Sequence, residues 1–556
     1  MTPIVFKTIE DVPSQAISLG SIEVNKTGSW RTVRPVYKNN IPPCSVGCPA
    51  GERIPEYFAL VEKGEFEKAW RMILEDNPLP GVCGRVCYHP CESKCNRAEF
   101  DEPIAIHAME RYVADLNFDN LEPMPMLEPK KDKRVAIIGS GPAGLSCAWQ
   151  LARRGYDVTM YEALPQPGGM LRVGIPSYRL PRTVLDKEIA DILRLGVELK
   201  CSTQFGVDFD WDDLEEFEAI FVAVGAHGSK ALGIDGEHCD EVRPGIGMLR
   251  EVSEGIVPQM GKRVVVIGGG NTAIDVARTA LRMGREATIV YRRSRSEMPA
   301  VPEEIEEAIN EGVVIQYLSA PTRIVRRGKK LLGVECTKME LGEPDASGRR
   351  RPVAIIGSEF IVEADTIYTA IGENPQIMPF RGMLVDEQGK LKVDGKQRTS
   401  QAFIFAGGDA ATNPLGTVVD GIHSGKYAAF AIHEFLSGGL TAEREGKIVS
   451  AKEILSYYFK REPRPGVPRI SVDEAVKSFT EVNETLDHIA AHTEAQRCYS
   501  CGVCNSCDNC LSFCPDVAIH RNGNGTYVID LEHCKGCAIC VEECPRSAMG
   551  IEQEMK

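Results

Sequence analysis

The chain has 556 residues and 43% apolar content, ordinary for a soluble globular protein and enough for roughly three to five compact units. A formal net charge of −15 argues against nucleic acid or an anionic membrane surface as partner. No uninterrupted apolar run is long enough to span a bilayer. The N-terminal segment lacks a basic start followed by an apolar core, so a cytoplasmic, reducing setting is expected. The 20 cysteines are then read as ligands or buried thiols rather than disulfides.

Residues 1–40 have turn formers and no clear period, and are expected to form an extended arm. A helical cysteine-rich domain is predicted over 41–128. It opens with Cys44-x3-Cys48-Pro49, continues through two helical patterns, and reaches Cys83-x3-Cys87-x3-Cys91-x3-Cys95. Residues four apart share a helix face, so a zinc site or a cysteine-lined core is one reading. Pro90 argues against one continuous helix, and clustered soft thiolates also suit an iron–sulfur centre.

The stretch VAIIGSGPAG reads as a buried parallel strand entering Gly139-x-Gly141-x-x-Gly144 and then a helix. The first glycine permits the tight turn, the second admits a pyrophosphate, and the third lets helix and strand pack closely. Glu162 ends the next apolar run, where a carboxylate can accept from a ribose. A second fingerprint, VVVIGGGNTA, supplies Gly268, Gly270, Asn271 and Ala273, 129 residues after the first. The repeat suits two dinucleotides, a held flavin and an exchangeable nicotinamide; a duplicated fold with one empty site is the alternative. The strand ATIVY runs into Arg292 and Arg293, where arginine suits a 2′-phosphate, so NADP is favoured over NAD.

Near the C-terminus, Cys504-x2-Cys507-x2-Cys510-x3-Cys514-Pro recurs 30 residues later as Cys534-x2-Cys537-x2-Cys540-x3-Cys544-Pro. In the bacterial two-cluster ferredoxin pattern the fourth cysteine of each run ligates the other cluster. Cys504, Cys507, Cys510 and Cys544 are therefore assigned to one cluster, and Cys534, Cys537, Cys540 and Cys514 to the other.

The string CGRVCYHPCESKC, preceded by DNPLPGV, resembles the N-terminal iron–sulfur domain of the glutamate synthase small-subunit family, which includes the flavin half of dihydropyrimidine dehydrogenase. The resemblance runs from about residue 40 to 437. It implies one [4Fe–4S] cluster on Cys48, Cys87, Cys91 and Cys95, leaving Cys83 out. It places PQPGGMLRVGIPSYRLP along an FAD, making Gly168, Gly169 and Arg179 candidate contacts, and puts Gly408 and Asp409 by the flavin's ribityl or phosphate region. The family's further Cys-x2-Cys upstream of Cys44 is missing here. Cys498-x2-Cys501 looks like that pair displaced, and with Cys44 it suggests a fourth cluster beyond the three already assigned.

The fold expected is multidomain α/β. A helical Fe–S domain precedes an FAD-binding Rossmann-like unit (129–260 and 375–437) into which an NAD(P)-binding one (261–374) is inserted. A linker with helices (438–495) leads to a bacterial-ferredoxin-like α+β domain (496–556). Hydride moves two electrons together and clusters take them singly, so a flavin belongs between them. The resemblance implies an electron-transfer subunit serving a partner catalytic subunit, with a 2-oxoacid oxidoreductase complex as one candidate. A self-sufficient NAD(P)H:ferredoxin oxidoreductase, bifurcating or not, a glutamate synthase small subunit and a non-catalytic docking subunit are the alternatives. No side-chain nucleophile or acid–base pair is required.

Overall fold

A computed structural model describes residues 26–554 apart from 39, 123, 346–347, 378–379, 381, 384, 387–388, 413–415, 440–445 and 524–525, together with Thr8 and Asp11. Most of the predicted arm before residue 26, and residues 440–445 near the start of the predicted linker, lie outside the described residues.

Two five-stranded parallel sheets form the centre. In the first, the strands run Ile404–Ala406, Ala219–Val222, Arg134–Ile138, Asp157–Tyr161, Glu198–Lys200. In the second, they run Val314–Gln316, Glu286–Val290, Arg263–Ile267, Thr366–Thr369, Val242–Pro244. Each fingerprint strand is the middle strand of its sheet and is buried on both faces, which is why it reads as a continuous apolar run. The helices Pro142–Arg153 and Asn271–Arg282 follow the two glycine loops.

The second unit begins earlier than the expected residue 261. Val242–Pro244 pairs with Thr366–Thr369, and the helix Gly245–Ser253 packs beside Asn271–Arg282. The outgoing and returning chain segments meet as a two-stranded link, Gly228–Ser229 against Glu373–Asn374. An antiparallel meander spanning Ser319 to Glu363 is inserted before the returning strand.

The N-terminal domain is helical, with Ile54–Glu62, Phe66–Asp76, Pro80–Val86 and Ile106–Leu116. It shares one core with the first Rossmann unit: Trp149 Nε1 donates to the Leu74 carbonyl at 2.8 Å and Gln150 Nε2 to that of Glu75 at 2.9 Å. The cysteine run is broken as Pro90 suggests. Cys83 lies on Pro80–Val86, Cys87 caps it, and Cys91 and Cys95 bracket the short turn Glu92–Lys94.

The C-terminal module has two short helices, Asn509–Ser512 and Ile539–Glu542, and the hairpin Ile519–Arg521/Tyr527–Ile529. Its last strand, Met549–Gln553, pairs antiparallel with Val33–Tyr37 of the arm. The segment from 446 to 495 is a strap rather than a free linker. Glu481 pairs with Arg85 and Arg111 of the helical domain (2.8 and 2.9 Å), and Arg469 reaches Glu307 of the second Rossmann unit (3.1 Å).

Candidate functional site

A cleft of about 1250 Å³ opens between the two Rossmann units. Both fingerprints line it, the first through Gly139 and Gly141, the second through Asn271 and Thr272. The two loops are built alike. Gly139 has φ +106° and a Cβ there would lie 2.4 Å from the Ala223 carbonyl oxygen; Gly268 has φ +150° and a Cβ would lie 2.1 Å from that of Ala370. Each first glycine is thus fixed by the neighbouring parallel strand's end. Gly141 and Gly270 are different: a Cβ at either would meet no protein atom within 4 Å. Both open onto free space at a helix N-terminus, the place a diphosphate needs. Ala273 is fully buried, its N–H on the Gly270 carbonyl at 2.9 Å. Asn271 accepts from Val301 N–H at 2.9 Å, which turns its side chain to the opposite loop.

Glu162 sits on the cleft wall with one oxygen accepting from Ser140 N–H at 3.0 Å and the other from Leu164 N–H at 2.8 Å. Gly168 and Gly169 both take positive φ and hold the adjoining turn against the first glycine loop, Gly168 N–H donating to Ser140 O at 3.1 Å. Gly169 reaches the cleft and Gly168 lies behind it. On the far side Gly408, Asp409, Thr417, Val418 and Gly421 face in. Burial pushes the Asp409 carboxyl up. Thr417 caps the 20-residue helix Val418–Ser437, accepting from Asp420 N–H at 3.3 Å. That helix start points its positive end into the cleft, a fixed stabiliser of negative charge there.

Two expected contacts are drawn elsewhere. Arg179 touches the cleft, but its guanidinium pairs with Asp275 (2.7 Å) and Glu304 (2.8 Å) of the second unit. It joins the domains, and its charge is spent on carboxylates. Arg293 is buried; its Nε donates to the Arg350 carbonyl at 2.8 Å and its Nη2 pairs with Asp345 on the meander. Arg292 next to it is exposed and carries the phosphate reading alone. Sequence reasoning missed Val86 and Tyr88, which bring the Cys87 loop onto the cleft wall. His423 Nδ1 of the capped helix donates to the Pro49 carbonyl, 2.7 Å away and one residue past Cys48.

In the C-terminal module the cysteines lie around two hollows. Cys504, Cys507, Cys510 and Cys544 line one small hollow of about 20 Å³; Cys514, Cys534, Cys537 and Cys540 line another of similar size. The repeat extends to the backbone: Asp508 and Ala538 take φ near +66° and +62°, and Val517 and Ser547 +50° and +56°. Ala518 N–H donates to Cys514 Sγ at 3.2 Å and Ala548 N–H to Cys544 Sγ at 3.3 Å. Such bonds to sulfur tune a cluster's potential. Burial and the neighbouring thiols push Cys540 up to about 12, so a compensating cation is what would keep it a thiolate. Among the described residues no three His, Cys, Asp or Glu side chains close to the spacing of a single metal ion.

The N-terminal cysteines divide otherwise than expected. Cys48, Cys87 and Cys91 sit together, with Cys83 one helical turn from Cys87. Cys95 lies by Cys44 and Cys501: the helix carrying Cys44 packs on the turn ending at Cys95, and Asn96 donates to Cys501 Sγ at 3.5 Å.

These features define a two-dinucleotide flavoprotein fold flanked by two iron–sulfur modules. The pyridine nucleotide-disulphide oxidoreductase family matches residues 133–425, and the chain belongs to it. A second family, dihydropyrimidine dehydrogenase domain II with its 4Fe-4S cluster, matches residues 34–121, and a 4Fe-4S binding domain matches 527–549. The chain is 41% identical over 501 residues to the NADP(+)-dependent formate dehydrogenase subunit beta of Moorella thermoacetica, covering 83% of this chain and 70% of that one. It is 39% identical to the NADPH-Fe(3+) oxidoreductase subunit beta of Geobacter sulfurreducens, covering 83% and 75%. It is 36% identical to the glutamate synthase [NADPH] small chain of Escherichia coli, covering 71% and 89%. Among solved structures, FprA from Mycobacterium tuberculosis (His57Gln mutant) shares the fold, with a TM-score of 0.50 and 20% identity over 55% of this chain and 85% of that one. The protein is thus an NAD(P)H-dependent oxidoreductase with FAD/NAD(P) and 4Fe-4S domains. No described helix is long and apolar enough to cross a membrane.

Proposed function

We propose that the chain is the NADPH-oxidising, electron-transfer subunit of a larger oxidoreductase. It would pass electrons from the cleft through the N-terminal thiol sets to the ferredoxin module and on to a separate catalytic subunit. One observation carries this reading: a single cleft is lined by both dinucleotide loops and by Val86 and Tyr88, which flank Cys87. Bound FAD would supply the change from two-electron to one-electron chemistry. The residues around it position, exclude water and set charge. The capped helix at Thr417 favours added negative charge, and the Arg179–Asp275–Glu304 pairing holds the two nucleotide loops face to face. The names of the beta-subunit relatives support NADPH as donor and a partner subunit as acceptor. Among the relatives named above none is a 2-oxoacid oxidoreductase, so the acceptor is left as a catalytic subunit of unspecified substrate.

Anaerobic stopped flow tests this directly. NADPH is expected to bleach the flavin band first and the broad iron–sulfur absorption afterwards. A purified protein whose flavin is reduced by NADPH but whose clusters stay oxidised would refute the transfer role. Purification from the native cell under anaerobic conditions should bring a stoichiometric catalytic subunit along; a chain that elutes alone and reduces ferredoxin at full rate would favour the self-sufficient alternative.

A further inference from the structure

We infer that Cys44, Cys95, Cys498 and Cys501 hold a [4Fe–4S] cluster that joins the two ends of the chain, and that Cys83 rather than Cys95 completes the set around Cys48, Cys87 and Cys91. The argument is one of placement. Cys44 lies in the short helix Pro43–Gly47, which packs on the turn Glu92–Lys94 that ends at Cys95. The C-terminal pair is brought to the same place by independent contacts. Asn96, next to Cys95, donates to Cys501 Sγ at 3.5 Å and to the Val449 carbonyl at 3.0 Å. Arg97 Nη1 donates to the Arg497 carbonyl, one residue before Cys498. Any Cβ on Gly502 would strike Asn40, so the turn after Cys501 lies tight against the segment leading into Cys44.

Cys44, Cys498 and Cys501 are 6%, 7% and 8% exposed, and Arg497 and Glu494 behind them form a fully buried ion pair at 2.8 Å. Cys44 and Cys498 belong to one buried cluster, and Cys95 packs against it. Three buried thiols and the half-buried Cys95, gathered from three separated segments, satisfy no packing need that alanine or valine would not meet, and they match the donor set of a four-thiolate cluster. The site also fills a gap in the chain of centres. Cys501 is three residues from Cys504, and Arg546, two residues after Cys544, donates to the Cys498 carbonyl at 3.4 Å. A cluster here stands between the flavin-side thiols and the ferredoxin module. Its existence does not depend on the electron-transfer reading; only its use as a relay does.

The test uses the full chain, expressed and purified anaerobically. Wild type should carry about sixteen iron and sixteen sulfide per chain, four cubes in all. Cys44→Ser, Cys95→Ser, Cys498→Ser and the Cys44/Cys498 double variant should each fall to about twelve, losing the same reduced-state EPR component, with FAD content unchanged. The double variant should lose no more than either single, because the ligands share one cube. Cys48→Ser should remove a different component. Wild type at about twelve iron per chain, with or without one zinc, overturns the proposal, and this count decides even if the variants do not fold. So does a Cys95→Ser variant that loses the component lost by Cys48→Ser. Flavin bleaching by NADPH, measured on the same samples, reports on the electron-transfer reading separately: bleaching retained in Cys498→Ser with slowed reduction of the ferredoxin clusters is expected of a relay.

Discussion

The paired alanine substitutions at Gly141 and Gly144 separate the two demands made on the first glycine loop. At Gly144 a Cβ would sit 1.9 Å from the Gly139 carbonyl oxygen and 3.3 Å from Ile137 Cγ2. Helix Pro142–Arg153 must then lift off its strand by more than an ångström, an overpacking that costs roughly 1–3 kcal/mol. At Gly141 there is no protein atom within 4 Å, and its φ of −71° is open to any residue. The fold should tolerate that change to within about 0.5 kcal/mol. The new methyl instead stands where the diphosphate must approach, and a tenfold to hundredfold loss of FAD affinity, about 1.4–2.8 kcal/mol, is expected. Urea unfolding of flavin-stripped protein and titration with FAD followed by flavin fluorescence measure the two effects. A Gly141→Ala protein that binds FAD as tightly as wild type would refute the assignment of this loop to the flavin. An unperturbed Gly144→Ala would refute the packing account.

Arg179→Met should retain FAD yet slow flavin reduction by NADPH at least tenfold, because Asp275 and Glu304 lose their shared partner and the domains their lock, worth about 3–5 kcal/mol for a buried pair; loss of FAD instead would show that Arg179 holds the flavin. Arg292→Ala should raise the KM for NADPH about tenfold and leave that for NADH unchanged, whereas Arg293→Ala, which removes one partner of Asp345, should lower stability by about 1–3 kcal/mol with no coenzyme preference. Steady-state kinetics with both coenzymes decides. Tyr37 Oη lies 3.3 Å from Cys510 Sγ, so Tyr37→Phe should lower the potential of that cluster without loss of iron, read by EPR redox titration. Burial raises the Glu188 carboxyl to about 8, although Gly81 and Val82 N–H groups both point at it. A folded pKa above the unfolded value near 4.5 means a contribution complete below about pH 4.5 and lost as pH rises through about 8, on the order of a few kcal/mol at most. The falling stability across that window should flatten in Glu188→Gln, as judged by urea midpoints at each pH.

What could be read from the sequence was local. Both fingerprints are strand, turn and helix within one continuous stretch, and the ferredoxin runs carry their partition in their spacing. The structure reproduces the strand, turn and helix of each fingerprint. What could not be read depends on segments far apart in the chain. Cys95 reads as a member of the adjacent cysteine run because nothing in that run shows that Cys498 and Cys501 arrive beside it. Arg293 has the same chemistry whether it meets a phosphate or Asp345, and only the meander's fold decides. The arm strand VRPVY has no hairpin partner nearby; its partner is Met549–Gln553. Glu481 gave one available signal, an acid in a weakly periodic segment, but its arginine partners are hundreds of residues earlier.

These long-range contacts have a common consequence for transfer. A ferredoxin module on a flexible tether would sample many distances from the flavin, and its rate would follow the rare close approaches. Here the module is fixed on several sides. Val33–Tyr37 extends its terminal strand, Arg31 donates to the Cys534 carbonyl at 3.0 Å, and the buried Arg497 couples Glu494 and Asp101 at 2.8 and 3.1 Å. Buried ion pairs add little net stability over apolar packing, but these tie the helix before Cys498 to Asp101 of the helical domain. A rigid junction makes the order of centres a property of the fold: the cleft, the Cys48 set, the proposed Cys44 set, and then the Cys504 set, which adjoins it in sequence. On the proposed order the Cys514, Cys534, Cys537 and Cys540 set comes last, which makes it the proposed exit toward an acceptor.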